Sequence, residues 1–252
     1  MTTELLTIVE SLTVQPDEVS TRTARIHSEL LRCSKYLDGP NFTVIHPYDL
    51  ELLFAAYDRE FFSNQLRESL RGAPLQFSLS RRLTSAGGTT TRRVERRTGL
   101  VKYEIKASAA ILFSCFHQDD HREVAVAGVI CRDRLDALQR IMEHELVHLI
   151  EMILWQDSSC SRTRFQSITR RVFNHTEHRH KLITPRERTM MATGIRPGMR
   201  VRFDFAGDEL VGTVNRINRR VTVLVEDPRG RAYTDGKRYL KFYVPSKILR
   251  RV

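Results

Sequence analysis

Apolar residues recur at two different periods along this chain, and the changes of period mark out its parts. From Tyr48 to Phe62, the residues Leu52, Leu53, Ala56, Tyr57 and Phe61 fall at the spacing of an amphipathic helix. Leu135 to Leu154 contains neither Gly nor Pro. Its apolar positions wrap most of the way round, which predicts a buried helix. Arg162 to Phe173 returns to helical spacing through Phe165, Ile168 and Val172, with Ser161 placed as an N-cap. Between the first two helices the segments Leu75–Leu79, Gly87–Arg93, Leu100–Ile105 and Ala109–Phe113 read as short strands. Gly87-Gly88 and Thr98-Gly99 supply turns among them.

The last quarter alternates apolar and polar residues throughout. Gly198–Phe205, Leu210–Ile217, Val221–Val225 and Leu240–Val244 predict strands, separated by turns at 206–208, 218–220 and Asp227-Pro228-Arg229-Gly230. Pro245 to Leu249 reads as a closing turn. Four or five strands in so short a stretch suggest a small SH3-like barrel. Residues 1 to about 45 carry weaker patterns, with Ala24–Leu31 the best helix and Asp38-Gly39-Pro40-Asn41 a turn. The expected class is therefore α+β in three parts. Residues 1–45 are a partly helical N-terminal extension, 46–190 a domain with a small sheet and packed helices, and 194–252 a basic all-β module.

Composition narrows the function. With 252 residues, 41% of them hydrophobic, the chain can bury one substantial core and a smaller second one. The first ten residues lack a basic patch, and no long apolar run follows, so neither a secretory signal nor a membrane-spanning helix is expected. Cys33, Cys115, Cys131 and Cys160 lie far apart, as suits reduced thiols in the cytoplasm. The net charge of +11 calls for an anionic partner, most simply nucleic acid, and hence a possible place at the nucleoid. Residues 194–252 hold 14 Lys and Arg against 6 Asp and Glu, so the charge is concentrated there. The pairs Arg92-Arg93 and Arg96-Arg97 could line a groove, but a solvated hairpin tip is the simpler reading.

The chemistry lies in His144-Glu145-Leu146-Val147-His148. Residues four apart on a helix share a face, so both imidazoles can reach one zinc ion, and Glu145 can reach the water that zinc activates. A merely structural polar cluster is the rival reading. The cost of burying three polar groups unpaired in an apolar helix argues against it. A catalytic zinc takes three protein ligands. Glu151 and Leu154 occupy the positions where a metzincin would need Gly and His, which excludes that class. A further glutamate remains open as ligand, Glu151 nearby or Glu177 at a distance.

The arrangement from about Tyr48 to Ile183 resembles the SprT-like metallopeptidases, the family that includes Spartan. The likeness rests on Leu53-Phe-Ala-Ala-Tyr-Asp-Arg-Glu-Phe-Phe62, Ser85-Ala-Gly-Gly88, the His144–His148 motif and Phe165 in the next helix. It implies a zincin-like fold, a zinc cofactor, a protein substrate, and Glu145 as general base and acid. The family's third ligand is usually the His of an H-G-x-x-[FW] motif. Phe165 matches the aromatic, and the ligand position falls on Ser161, beside which Cys160 could substitute as a thiolate. His175, His178 and His180 remain rivals. Spartan-type members cleave proteins crosslinked to DNA, work that a fused basic module would suit. The competing function is a catalytically inactive nucleic-acid-binding protein with a peptidase-like fold; a third possibility is a module that recruits an acidic protein.

Overall fold

The computed structural model describes residues 2–252 apart from 119, 121 and 219. The chain is α+β and divides into two compact units, Met1–Leu182 and Ile183–Val252.

The first unit begins with helices α1 (Thr2–Ser11) and α2 (Pro16–Cys33). The sequence suggested an extension here, but these helices belong to the unit's core. Leu5, Val9, Val19, Ile26 and Leu30 are buried, and the Arg171 guanidinium donates to the carbonyls of Val9 and Leu12. Helix α3 (Pro47–Phe62) opens with a capping box between His46 and Asp49 and has Pro47 in its first turn. A short helix α4 (Gln65–Ser69) follows, its first amides held by the buried carboxylate of Asp58.

Strands β1 (Leu75–Ser80), β2 (Gly88–Val94) and β3 (Val101–Ser108) form one sheet in the order β1-β3-β2. β1 runs parallel to β3 and β2 antiparallel, which leaves β2 as an edge. The hairpin tip beyond β2 is exposed at every residue from Arg93 to Leu100. Ala109–Phe113, expected as a strand, is instead helix α5 (Ala109–Leu112). Ser108 accepts a hydrogen bond from the Ile111 amide and turns the chain out of the sheet. A two-stranded hairpin, β4 (Val124–Val126) and β5 (Val129–Cys131), comes next.

Helix α6 (Arg134–Leu154) is the axis of the unit, capped by Asp133 and packed against β2, β3, α2, α3 and helix α7 (Thr163–Phe173). Arg134 at its start is buried and donates to the carbonyls of Asn41, Phe42, Leu112 and Cys115, tying the loop before α3 and the end of α5 to one guanidinium. Ser161 does not cap α7: Arg162 holds the N-cap position without a side-chain bond, and the Ser161 hydroxyl lies 2.9 Å from that of Ser159.

The second unit opens with helix α8 (Pro185–Thr193), capped by Thr184 and ended by Gly194. The division at Leu182 thus puts residues 183–190 with this unit, whereas the sequence pattern grouped them with the first. A five-stranded antiparallel sheet follows, β6 (Arg200–Phe205), β7 (Asp208–Ile217), β8 (Val221–Ala232), β9 (Arg238–Val244) and β10 (Arg250–Arg251), in the order β10-β6-β7-β8-β9. Among the described residues its two edge strands do not pair, so the sheet is open and not a closed barrel. The turn expected at 227–230 is a bulge inside β8: Glu226 and Arg231 both face Tyr239. Val201, Phe203, Val214, Val221, Val223 and Val244 form the core with Ile195 and Leu249.

Candidate metal centre

His144 and His148 lie one turn apart on α6, and their Nε2 atoms approach to 3.2 Å. The ligand atoms of His144, His148 and Cys160 lie within 4.8 Å of one another; this is the one group of potential metal ligands of its kind among the described residues. Two imidazole nitrogens bound tetrahedrally to one zinc lie about 3.3 Å apart, from Zn–N bonds of about 2.0–2.1 Å. The histidine pair therefore has the spacing of a shared ion, and two nitrogens with a thiolate are a donor set that zinc accepts.

The layer behind these residues fixes their protonation. Ser158 Oγ donates to Glu151 Oε2 at 2.6 Å, so the same oxygen accepts from His148 Nδ1, also at 2.6 Å. With its proton on Nδ1, His148 presents a bare Nε2 towards His144 and Cys160. Glu151, fully buried, is held on its other oxygen by Arg164 Nε at 2.6 Å, and the Arg164 guanidinium lies 4.2 Å from the centre of the Trp155 ring. Phe165 packs against both rings, at 4.8 Å from His144 and 4.5 Å from His148. Burial, reinforced by the neighbouring His148, lowers the His144 pKa to about 3. Burial lowers that of His148 to about 4 against the opposing pull of Glu151. Both rings are neutral near pH 7, the form that ligates metal.

Glu145 faces the same cleft and is buried. Burial raises its pKa to about 8, although the Thr90 hydroxyl, 2.8 Å from Oε2, works the other way. Gly88 explains how the carboxyl fits against β2. A Cβ on Gly88 would lie 2.8 Å from Glu145 Cγ and Oε1 and 2.9 Å from Ile141 Cγ2, closer than side-chain atoms approach. Residues 85–90 form one wall of an open cleft of about 510 Å³, and His178, Arg179 and His180 form the other. That second wall runs along β4: the amides of Ala127 and Lys181 donate to the carbonyls of Arg179 and Ala125, and His180 bridges to Val126.

Of the other sequence candidates, His178 and His180 line the cleft outside the ligand group. Glu177 is exposed and paired with Lys181, and Glu151 is committed to Ser158 and Arg164. His175 belongs elsewhere. It is buried 2.7 Å from Glu143 Oε2, while Tyr57 and Arg140 hold Glu143 Oε1 at 2.7 and 2.8 Å. Burial pushes the Glu143 carboxyl up, but Arg140, His175 and Tyr57 together outweigh it and hold its pKa below the usual value. Sequence reasoning did not find Ser158 or Thr90, because a hydroxyl that orients a ligand carries no spacing signal of its own.

Neither family models, curated proteins nor solved structures yield a match to this chain.

Proposed function

We propose that this chain is a zinc-dependent metallopeptidase of the SprT-like, zincin-like class. The observation that carries the reading is one cleft holding His144, His148 and Cys160 as a ligand group, with the buried carboxyl of Glu145 beside them. Zinc bound there would supply Lewis-acid activation of a water molecule and of the scissile carbonyl. His144, His148 and Cys160 would hold it, with Ser158 and Glu151 keeping His148 in its ligating tautomer. The charge of a bound zinc would bring the Glu145 carboxyl back to its ionised form, in which it would take the proton of the attacking water and return it to the leaving amine, while Thr90 anchors Oε2. The free edge of β2 offers backbone groups to an extended protein substrate along one side of the cleft.

The second unit, on this reading, is an SH3-like module that binds polyanions and brings the peptidase to DNA-associated proteins. Its excess of positive charge supports this, since phosphate contacts give affinity without needing a catalytic group.

The test begins with metal analysis of purified wild type, His148→Ala and Cys160→Ala by mass spectrometry. One zinc per chain, lost in both variants, is expected. Zinc retained by Cys160→Ala would move the third ligand to His178 or His180. Glu145→Gln should keep its zinc and lose proteolysis of a casein substrate. Proteolysis undiminished in that variant would refute the peptidase reading.

A further inference from the structure

We infer that the outer face of the five-stranded sheet binds single-stranded nucleic acid, with Tyr243 stacking on an unpaired base. The inference deepens the polyanion reading of the second unit and rests on it. Strand register defines the face. Val221, Val223 and Val244 point into the core, so Thr222, Leu224, Lys241 and Tyr243 point out. Pairing carries this face across the sheet: Arg200, Thr213, Leu224 and Lys241 form one row, and Arg216, Thr222 and Tyr243 the next. Lys241 thus sits one row from the Tyr243 ring, with Arg216 at the other end of the ring's own row.

The charges on this sheet are unevenly matched. Asp204, Glu209, Glu226 and Asp227 each have a basic partner, Arg250, Arg202, Lys237 and Arg229 respectively. Among the described residues no carboxylate pairs with Arg200, Arg216, Arg220, Lys241 or Lys247. A solvated basic face would equally expose its cations, but it would not need an aromatic ring among them. Tyr243 is 62% exposed, and it borders a depression lined by Asn218, Arg220, Thr222 and Lys247. An exposed ring costs water-facing apolar area, and flanking cations complement a phosphate backbone on either side of a base stacked on it. A duplex hides its base faces and could use the cations only, which makes the ring the feature that selects a single strand.

The experiment uses the full chain and fluorescence anisotropy with labelled oligo(dT), oligo(rU) and a DNA hairpin duplex over a series of salt concentrations. Both single strands should bind more tightly than the duplex, with affinity falling as salt rises. Tyr243→Ala should weaken single-strand binding about tenfold or more, while Tyr243→Phe should not. Unchanged thermal melting would show that Tyr243→Ala is folded. Arg216→Gln and Lys241→Gln should each lower the salt slope by about 0.7, and Lys237→Gln, whose charge is already paired, by less. Duplex bound as tightly as single strands, with Tyr243→Ala at wild-type affinity, overturns the inference and leaves the polyanion reading standing. No salt-dependent binding to any of the three probes overturns both.

Discussion

Replacing Ser158 with Ala removes one hydroxyl and tests how the ligand set is oriented. That hydroxyl makes two contacts of 2.6 Å, receiving the proton of His148 Nδ1 and donating its own to Glu151. Without it, His148 can move its proton to Nε2, the tautomer that presents no lone pair towards His144. Removing such a supporting contact typically weakens metal binding about 10–100-fold, or about 1.4–2.7 kcal/mol. The fold should survive, because Glu151 keeps the Arg164 guanidinium at 2.6 Å and the Ser159 amide at 3.4 Å. Zinc affinity is read by competition with a chromophoric chelator near neutral pH, and the metal-free unfolding midpoint is measured alongside. Ser158→Thr, which restores the hydroxyl, should return most of the affinity. Affinity within twofold of wild type in Ser158→Ala would refute the argument that Ser158 sets the tautomer.

Stability of the metal-free protein should depend on pH through three groups. The pKa values of His144 and His148 fall from 6.5 unfolded to about 3 and about 4 folded, so the unfolded chain gains protons first and stability is lost below about pH 6.5. That of Glu145 rises from 4.5 to about 8, so the folded chain holds the extra proton and stability is lost as pH climbs towards 8. Together they place a maximum at about pH 6.5, and Glu145→Gln should flatten the alkaline side and steepen the acid side above about pH 4.5 in urea titrations. Gly88→Ala should cost about 1–3 kcal/mol by overpacking and abolish proteolysis by displacing Glu145, while zinc is retained. Arg134→Met should cost at least about 3 kcal/mol in urea unfolding, since it strands four carbonyls; a loss under about 1 kcal/mol would show that water replaces the guanidinium.

The sequence was most legible where one period ran long and a cap closed it. α6 begins at Arg134 because Asp133 caps it, within a residue of the start that periodicity predicts. The spacing of His144 and His148 placed both rings on one face, and Cys160 reaches them because the loop after Leu154 turns back to α7. Short elements were not legible. Ala109–Leu112 is apolar enough for a strand, and the caps that make it a helical turn, the Ser108 hydroxyl at its start and that of Ser114 on the Ala110 carbonyl, carry no periodic signal. β4 and β5 have three residues each, too few to show alternation. Among the downstream histidines, residue type could not separate His175 from His178 and His180. Burial beside Glu143 separates them, and that contact spans 32 residues.

The exposed tip between β2 and β3 and the wall at 176–181 differ in what they can tolerate. From Arg93 to Leu100 every residue is exposed, so extra residues inserted near Thr98-Gly99 would loop into water. The wall allows no such freedom, because His175 pins its start and successive backbone bonds to Ala125 and Ala127 set its register. An inserted reporter or recognition peptide therefore belongs in the hairpin tip. In the wall, one added residue would shift every side chain facing the cleft by a position.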